Sequence, residues 1–417
     1  MIRRRVNVAG IAGEFREKQL LDHDVLENPN PFYSHLVEKA PVWRVGNQGV
    51  YTVSSHAAVT EACARVEDFS SNLVCMLYRD EDGLPARLMR AFGEGADSQV
   101  LATADPPHHA AHKKLISPEF SPKRIAALEE QVAMMTAERL APGLTAGRIE
   151  FMSELGNLIP IDVVGEIIGF SERNTDALFS AAIVQTDILA SAIARDELER
   201  RLNFSNETFG WVFMQLQQAM AAPGEGILGN LARAINAGEI DIPLAMTVLL
   251  TLFAAGGEST SSLIGNAAHA LAQDQELQQR LRRAPGLIPK FVEEVLRVES
   301  PFRHHMRVVR RDTQLCGVDL PEGATLLLMW GAANRDPAAF ENPGKIDLDR
   351  PRRHVAFGSG IHVCLGNTLA RLEARVVLEG LLAATQDFTL DDDAPPKWVP
   401  SLAVRRLDRL PLVMKPA

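Results

Sequence analysis

The longest periodic pattern in the 417-residue sequence runs from Asp241 to about Gln273 and predicts a single helix. Asp241 is a suitable N-cap, and Pro243 is tolerated in the first helical turn. At 1.5 Å per residue such a helix spans roughly 45 Å, which would cross most of a molecule of this size. Gly256 and Gly257 in its middle cost roughly 2 kcal/mol of helix propensity relative to alanine. We therefore expect close backbone approach or a local opening there.

The rest of the chain predicts a mostly α fold with minor β. Strand patterns fall at about 41–65, 305–330 and 385–417, and helical patterns dominate about 108–300 and 365–384. The stretch 70–104 has no clear period and is expected to be irregular. Because no linker composition or internal repeat interrupts these patterns, we expect residues 1–417 to form one domain.

Composition excludes several classes of function. The formal net charge is −10, and nucleic-acid binding requires a positive face. No apolar stretch follows the N-terminus, so we expect no signal peptide, no membrane anchor and a cytoplasmic location. The cysteines are far apart, which favours neither a zinc site nor a disulfide framework and fits a reducing compartment. They are Cys63, Cys75, Cys316 and Cys364.

A glycine-rich loop delivers Cys364 to the start of a predicted helix. Residues 357–366 read FGSGIHVCLG. The glycines let the backbone approach a flat ligand closely, and the N–H groups at the helix start favour a thiolate. The alternative is a buried, inert cysteine.

This segment resembles the haem-binding signature of the cytochrome P-450 superfamily, F-G-x-G-x-H-x-C-x-G, at every fixed position. The resemblance implies the cytochrome P-450 fold, in which a long central helix lies over the haem and the cysteine loop lies beneath it. It also implies haem b (iron protoporphyrin IX) as cofactor. Cys364 would be the axial metal ligand, and Phe357 and Gly358 would belong to the cofactor-binding loop.

Two further segments extend the resemblance. Glu294 and Arg297 match the family's E-x-x-R, whose members share one helix face and are joined by a later arginine, here Arg350. In the family this cluster holds the cysteine loop from behind. An exposed helical ion pair is the alternative for Glu294 and Arg297 alone.

The resemblance also implies partners for the two haem propionates. His109 follows a D-P-P-x-H segment, and Lys113 stands where many relatives have arginine, so the charge is kept but the bidentate fork is lost. Arg307 and His362 match two further propionate partners. The alternative for His109 is a surface histidine. His108 and His112, with i, i+4 spacing, and possibly His304–His305 would suit a metal site, but no H-E-x-x-H pattern accompanies them.

Residues 255–260 resemble the family's [AG]-G-x-[DE]-T-[ST], where an acid and a hydroxyl relay protons to bound oxygen. Glu258 would be the acid and Ser259 the hydroxyl, with Thr260 sharing the role. Most relatives have threonine where Ser259 stands. Serine keeps the hydroxyl but loses the methyl group that fixes its rotamer, so we expect looser coupling. A helix kink with polar caps is the alternative.

By resemblance, the 70–104 region roofs an apolar pocket. Its candidate side chains are Leu73, Val74, Met76, Leu77, Leu84, Leu88, Met89 and Phe92. Further candidates are Leu252, Phe253, Ala255, Phe302, Val399, Leu402 and Ala403. We expect a hydrophobic substrate such as a terpenoid, steroid, fatty acid or aromatic. A solvated loop is the preferred interpretation of Arg79, Arg87 and Arg90, although they could grip a carboxylate.

The resulting prediction is an O₂-dependent monooxygenase. Because no flavin or ferredoxin module is fused, a ferredoxin-type donor with an NAD(P)H-dependent reductase is expected to supply electrons. A basic patch would dock this donor. Its members are Lys113, Lys114, Arg352 and Arg353. Two alternatives stay open: a haem-thiolate peroxygenase or other non-oxygenase haem enzyme, and a non-catalytic haem-binding protein.

Overall fold

The computed structural model describes residues 17–73, 75–89, 100–171, 174–190, 192–351 and 353–417. The predicted contributions of Val74, Arg90, Phe92 and Arg352 lie outside these ranges. The helices are α1 (His23–Glu27), α2 (Asn30–Lys39), α3 (His56–Ala64), α4 (His108–Ile116), α5 (Pro122–Ala127), α6 (Glu129–Ala146), α7 (Leu158–Ile168), α8 (Thr175–Ala190), α9 (Arg195–Ala221), α10 (Gly226–Asn236), α11 (Ile242–Ala272), α12 (Gln275–Arg283), α13 (Ile288–Val298), α14 (Trp330–Ala333) and α15 (Asn367–Ala384).

The strands are short, and most fall in the three regions where the alternating patterns predicted them; the exceptions are the strands at 69–70, 75–79, 85–89 and 148–150. They are β1 (Val42–Val45), β2 (Val50–Val53), β3 (Phe69–Ser70), β4 (Cys75–Arg79), β5 (Pro85–Met89), β6 (Arg148–Glu150), β7 (His305–Val309), β8 (Thr313–Leu315), β9 (Val318–Leu320), β10 (Thr325–Leu328), β11 (Thr385–Leu390), β12 (Lys397–Trp398), β13 (Leu407–Arg409) and β14 (Pro411–Pro416). The mostly α fold with minor β is confirmed.

Helix α11 is the predicted long helix and forms the centre of the core. The Asp241 carboxylate accepts a hydrogen bond from the Leu244 backbone N–H at 2.9 Å, which confirms the N-cap. The helix packs against α7, α8, α13 and α15, and most of its side chains are buried. Among the described residues it is the one helix long and apolar enough to cross a membrane. Its packing instead identifies it as a core helix.

The glycine pair in α11 allows α7 to approach closely. A Cβ atom on Gly256 would lie 2.6 Å from Cγ2 of Val164, and one on Gly257 would lie 2.2 Å from Cδ1 of Ile161. The helix remains α-helical through this point. Of the two expectations for the glycines, the structure therefore shows close packing and no break in the helix.

The largest sheet has the strand order β1-β2-β10-β7-β3. Strands β2 and β10 pair in parallel and the other neighbours pair antiparallel. The expectation of an irregular 70–104 region is wrong for part of that stretch, because β4 and β5 pair as an antiparallel hairpin. Apolar residues of this hairpin pack on α8 and α9, and the sequence pattern alone did not indicate that contact.

A buried ionic cluster joins α13 to the irregular segment that follows α14. Arg297 donates two hydrogen bonds to the Glu294 carboxylate, at 2.8 and 2.9 Å, and Arg350 donates a third at 3.1 Å. The prediction that Arg350 is the third member of this cluster is confirmed. Arg297 also donates to the carbonyl oxygens of Asn334, at 3.1 Å, and Lys345, at 2.8 Å. The cluster therefore fixes the 334–350 segment directly.

The packing of α11 on α7 leads to a stability prediction. Gly256→Ala should gain about 1 kcal/mol of helix propensity but lose more than that, about 1–3 kcal/mol, to overpacking against the stiff Val164 side chain. Gly210→Ala, within α9, is the matched control, because no atom lies within 4 Å of its Cβ position. We expect the control to be neutral or stabilised and Gly256→Ala to be destabilised in urea unfolding followed by circular dichroism. Equal stabilisation of both variants would contradict the close-approach interpretation.

Candidate functional site

A cavity separates the middle of α11 from the loop that carries Cys364. Its empty volume is about 1490 Å³, part of which opens to solvent. From α11 the lining residues are Thr251, Leu252, Ala255, Gly256, Ser259, Thr260 and Leu263. The opposite wall is formed by Ala356, Phe357, Gly358, Ser359, His362, Val363, Cys364, Leu365 and Gly366. The long helix above and the cysteine loop below are thus arranged as the resemblance implied.

Cys364 is exposed and lines this cavity. Its backbone N–H donates to the Phe357 carbonyl at 2.9 Å, which closes the loop. Burial raises the pKa of the Cys364 thiol, although the Gly366 backbone N–H and the Arg371 charge oppose the shift. A coordinating metal ion deprotonates a thiol outright, so a metal is the partner that this sulfur requires to be a thiolate.

Two glycines make the tight loop possible. Gly358 and Gly360 have φ angles of +75° and +71°, a conformation that side chains disfavour. A Cβ atom on Gly360 would also lie 3.0 Å from the Cys63 carbonyl oxygen. Phe357 lines the cavity from below, and the guanidinium of Arg371 lies 4.5 Å from its ring centre.

A second network, which the sequence did not predict, ties α13 to both ends of the cysteine loop. Glu293 accepts hydrogen bonds from Arg371, at 2.5 Å, and from His354, at 3.2 Å. Arg371 also donates to the Asn367 side chain at 2.6 Å, and Asn367 donates to the Cys364 carbonyl at 2.6 Å. Although burial opposes it, the bonds from His354 and Arg371 lower the pKa of Glu293 to about 2. The carboxylate is therefore ionised at neutral pH.

This network corrects the expected role of the E-x-x-R cluster. Glu294 and Arg297 bind the 334–350 segment, and none of their hydrogen bonds goes to the cysteine loop itself. The neighbouring Glu293 makes that connection. The sequence contained one signal for it, since Asn367 and Arg371 are spaced i, i+4 on one helix face directly after the cysteine.

Four predicted propionate partners converge on the cavity: His109, Lys113, Arg307 and His362. The rings of His109 and His362 have centroids 4.4 Å apart. Arg307 is buried and donates to the carbonyl of Met306 at 2.7 Å, and within the described ranges no carboxylate lies within ion-pair distance of it. Neither ring nitrogen of His362 has a hydrogen-bond partner among the described residues.

The burial of these basic side chains favours the binding of an anion beside them. Burial, followed by the charges of Arg307 and His109, lowers the pKa of His362 to about 3. Burial also lowers the pKa of Arg307. A buried cation without a counter-charge is costly, and a bound carboxylate would satisfy it. These residues therefore fit a flat cofactor that carries carboxylates and presents its metal to Cys364.

The three predicted relay residues do not all face the cavity. Ser259 and Thr260 line it, and the Ser259 hydroxyl donates to the Ala255 carbonyl at 2.7 Å. Glu258 does not line it. Its carboxylate is fully buried on another side of α11, where Arg406 donates to it at 3.1 Å. Burial raises the pKa of Glu258 to about 7, although Arg406 opposes the shift.

The predicted lining of the cavity is partly wrong. Leu252, Ala255 and Phe302 line it as expected. Leu73 and the hairpin candidates Met76, Leu77, Leu84 and Leu88 do not, and Leu101 and Ala102 line it instead, while the Met89 side chain lies outside the described part of the chain. The remaining candidates that the cavity lining does not include are Phe253, Val399, Leu402 and Ala403.

The predicted arginines of the roof have other roles. Arg87 does not line the cavity, and it donates instead to the Gly323 carbonyl at 2.5 Å. Arg79 is exposed and also lies outside the cavity. The structure therefore does not place these two arginines where they could bind a carboxylate in the cavity.

The alternative histidine metal site is wrong for the described part of the chain. His108 and His112 lie with ring centroids 6.3 Å apart. No group of three histidine, cysteine, aspartate or glutamate side chains in the described ranges is placed to hold a metal ion. His305 does line the cavity, together with Trp330, but as part of the wall.

Comparisons with known proteins agree with this geometry. The family model described as Cytochrome P-450 matches residues 286–402. Cytochrome P-450 144 of Mycobacterium tuberculosis is 41% identical over 393 residues, which cover 94% of this chain and 90% of the relative. The 6-deoxyerythronolide B hydroxylase of Saccharopolyspora erythraea is 31% identical over 318 residues, 75% of this chain and 77% of that protein.

A solved structure shows the same architecture. CYP109E1 from Bacillus megaterium, in complex with testosterone, superimposes with a TM-score of 0.83 at 28% identity, covering 94% of this chain and 99% of the other. With the high coverage of the relatives above, this establishes the family as well as the fold. The chain therefore belongs to the cytochrome P-450 family of haem-thiolate monooxygenases.

Proposed function

We propose that Cys364 is the axial ligand of haem b and that the enzyme inserts one atom of O₂ into a hydrophobic small molecule. One observation carries this proposal. The sulfur of Cys364, hydroxyl side chains of α11 and a cluster of basic groups all line one cavity. A haem presents a metal, an oxygen-binding face and two carboxylates, which match these three features.

Bound haem supplies oxygen activation, which electron donation from the thiolate promotes. The chain's own residues hold and orient the cofactor. Arg307, His362, His109 and Lys113 would bind the propionates. Phe357 and Gly358 form the surface beneath the macrocycle. The apolar residues of α11 exclude water from the face opposite the cysteine.

Proton delivery is assigned to the polar residues in the middle of α11. Because the Ser259 proton is engaged by the Ala255 carbonyl, the hydroxyl oxygen can accept a hydrogen bond from within the cavity. Thr260 offers a second hydroxyl. Glu258, with a pKa of about 7, can both take up and release a proton near neutral pH. Because its carboxylate lies off the cavity, it would act through a hydroxyl or water and not by direct contact.

The substrate class is inferred from the upper wall of the cavity. Leu101, Leu252 and Phe302 provide an apolar surface, and the charged side chains of the lining, Lys113 and Arg307, both belong to the predicted propionate partners. Among relatives, one is named a 6-deoxyerythronolide B hydroxylase and another was solved with testosterone. We therefore propose a terpenoid, steroid, fatty acid or aromatic compound, and we favour a molecule with few charges.

Electrons are proposed to come from a separate ferredoxin-type protein and its NAD(P)H-dependent reductase in the cytoplasm. Lys114 and Arg353 are exposed and remain candidates for a docking patch. Lys113 faces the cavity, so it belongs to the cofactor site and leaves the predicted patch smaller. Turnover with O₂ and this donor, compared with turnover on peroxide, distinguishes the monooxygenase from a peroxygenase or another non-oxygenase haem enzyme. Absence of turnover with either would favour a non-catalytic haem-binding protein.

The ligand assignment is tested by replacing Cys364. The purified wild-type protein should carry haem, and its reduced carbon monoxide complex should show the absorption of a thiolate-ligated iron. Cys364→Ser should lose that absorption, whereas Cys316→Ser, which changes an exposed cysteine remote from the cavity, should keep it. A colourless wild-type protein, or one with the carbon monoxide spectrum of a globin, would contradict the proposal.

The relay is tested by Ser259→Ala. We expect NADH consumption to continue while product per NADH falls several-fold, because activated oxygen escapes as peroxide when the proton path is broken. Ser262→Ala is the matched control. Its hydroxyl makes the same type of bond, to the Glu258 carbonyl at 2.8 Å, but it does not line the cavity. If both variants keep the wild-type ratio of product to NADH, the Ser259 side chain is not part of the relay.

Docking of the electron donor is tested by ionic strength. If Lys114 and Arg353 contact an acidic ferredoxin, the second-order rate of reduction should fall as salt rises from 0.01 to 0.15 M, since the Debye length shortens from about 30 to 8 Å. The charge reversals Lys114→Glu and Arg353→Glu should lower the low-salt rate. Arg195→Glu, on α9, should not. Rates that do not change with salt would argue against the patch.

A further inference from the structure

One polar side chain in the cavity wall has no role in the function proposed above. His305 is the first residue of β7, and Arg307 lies two positions further along the same strand. Side chains two apart on a strand project from the same face. Both residues line the cavity, so His305 is presented beside the uncompensated guanidinium of Arg307.

The tautomer of His305 is fixed by Trp330. The indole Nε1–H of Trp330 donates to Nδ1 of His305 at 2.7 Å. Indole is a donor only, so Nδ1 must be the unprotonated nitrogen of the imidazole. The single ring proton of the neutral side chain therefore resides on Nε2. A cation at His305 would require an N–H group facing the indole N–H, which the Trp330 contact disfavours.

The remaining neighbours define the environment of this donor. The ring of Phe302 lies 5.1 Å from that of His305, and the Trp330 ring lies 5.9 Å away. Arg307, His304 and His362 are basic groups nearby, and burial, followed by the Arg307 charge, lowers the pKa of His305 to about 3. His305 is thus a neutral N–H donor between an apolar wall and a basic cluster.

We infer that His305 is a ligand-binding residue whose Nε2–H donates to a carboxylate oxygen held in the cavity next to Arg307. This inference rests on the proposed function, because it concerns what the loaded cavity contains. A carboxylate is the matching ligand because it can satisfy the buried charge of Arg307 with one oxygen and accept the His305 proton with the other.

Two molecules could supply that carboxylate. One is a haem propionate, which would make His305 a further cofactor-binding residue beside Arg307. The other is the acid group of a substrate, which would make His305 a determinant of specificity at the edge of the apolar wall. The chemistry at His305 is the same in both cases, and the two sources respond differently to substitution.

The experiment compares His305→Phe, which keeps an aromatic ring but removes the donor, with His305→Asn, which retains an N–H donor. Each holoenzyme is tested in two ways. The first is the rate of haem transfer to excess apomyoglobin. The second is the affinity for dodecanoic acid and for methyl dodecanoate, read from the spin-state shift of the haem. Trp330→Phe, which frees the tautomer of His305, is a third variant.

If the carboxylate is a propionate, His305→Phe should speed haem loss several-fold, and His305→Asn should partly restore the wild-type rate. If it is a substrate acid, His305→Phe should weaken the binding of dodecanoic acid about tenfold, which is the effect expected for loss of a hydrogen bond to a charged group. The affinity for the methyl ester and the rate of haem loss should then be unchanged. Trp330→Phe should change whichever measurement His305→Phe changes, in the same direction but by a smaller factor.

Unchanged haem loss together with unchanged affinity for both ligands would overturn the inference and leave His305 as a packing residue. If wild type gives no response to the acid, the haem-transfer arm decides alone. The carbon monoxide spectrum of each variant is recorded first. If all variants show a thiolate-type spectrum, the proposed function stands and a negative result counts against this inference alone. If the wild type lacks that spectrum, the proposed function itself has failed.

Discussion

The Glu294 carboxylate accepts hydrogen bonds from two arginines and one backbone N–H in a region nearly closed to water. Removing one partner of such a buried cluster typically costs about 3–5 kcal/mol, because the remaining charge is left uncompensated. The cluster anchors the 334–350 segment on α13. The adjacent Glu293 then holds Arg371 and His354, and through them both ends of the loop that carries Cys364. Two consecutive acids on one helix therefore position the sulfur.

The cavity combines an apolar surface with a group of basic side chains, and both are unfavourable when no ligand covers them. The surface around Leu101, Leu252 and Phe302 is apolar, and the side near Arg307 gathers basic groups that no described carboxylate approaches within ion-pair distance, although the charge of Asp105 acts on Arg307 from further away. Such an arrangement is favourable only when an anion is present, so cofactor binding and local stability are coupled. Burial, followed by the nearby charge of Arg307, lowers the pKa of His305 and keeps its side chain neutral.

Local patterns predicted the features that depend on local chemistry. The long helix followed from its period and its Asp241 cap, and the cysteine loop from its glycines. The family resemblance, and no local pattern, placed Arg350 correctly. The β4–β5 hairpin was missed because its side chains pack on α8 and α9, which is a long-range contact. Glu258 lies about 100° from Ser259 around the helix, on the side away from Thr260, and there its carboxylate meets Arg406 from a distant part of the chain. The Trp330–His305 bond joins residues that no local pattern relates.

The raised pKa of Cys364 has a consequence for the newly synthesised chain. Nucleophilic attack and oxidation proceed through the thiolate, and a thiol kept protonated by its surroundings reacts slowly with oxidants and electrophiles. The surroundings of Cys364 therefore favour a thiol that such reagents attack slowly. Coordination of a metal ion would release the thiol proton, so the free and the metal-bound sulfur would differ in reactivity.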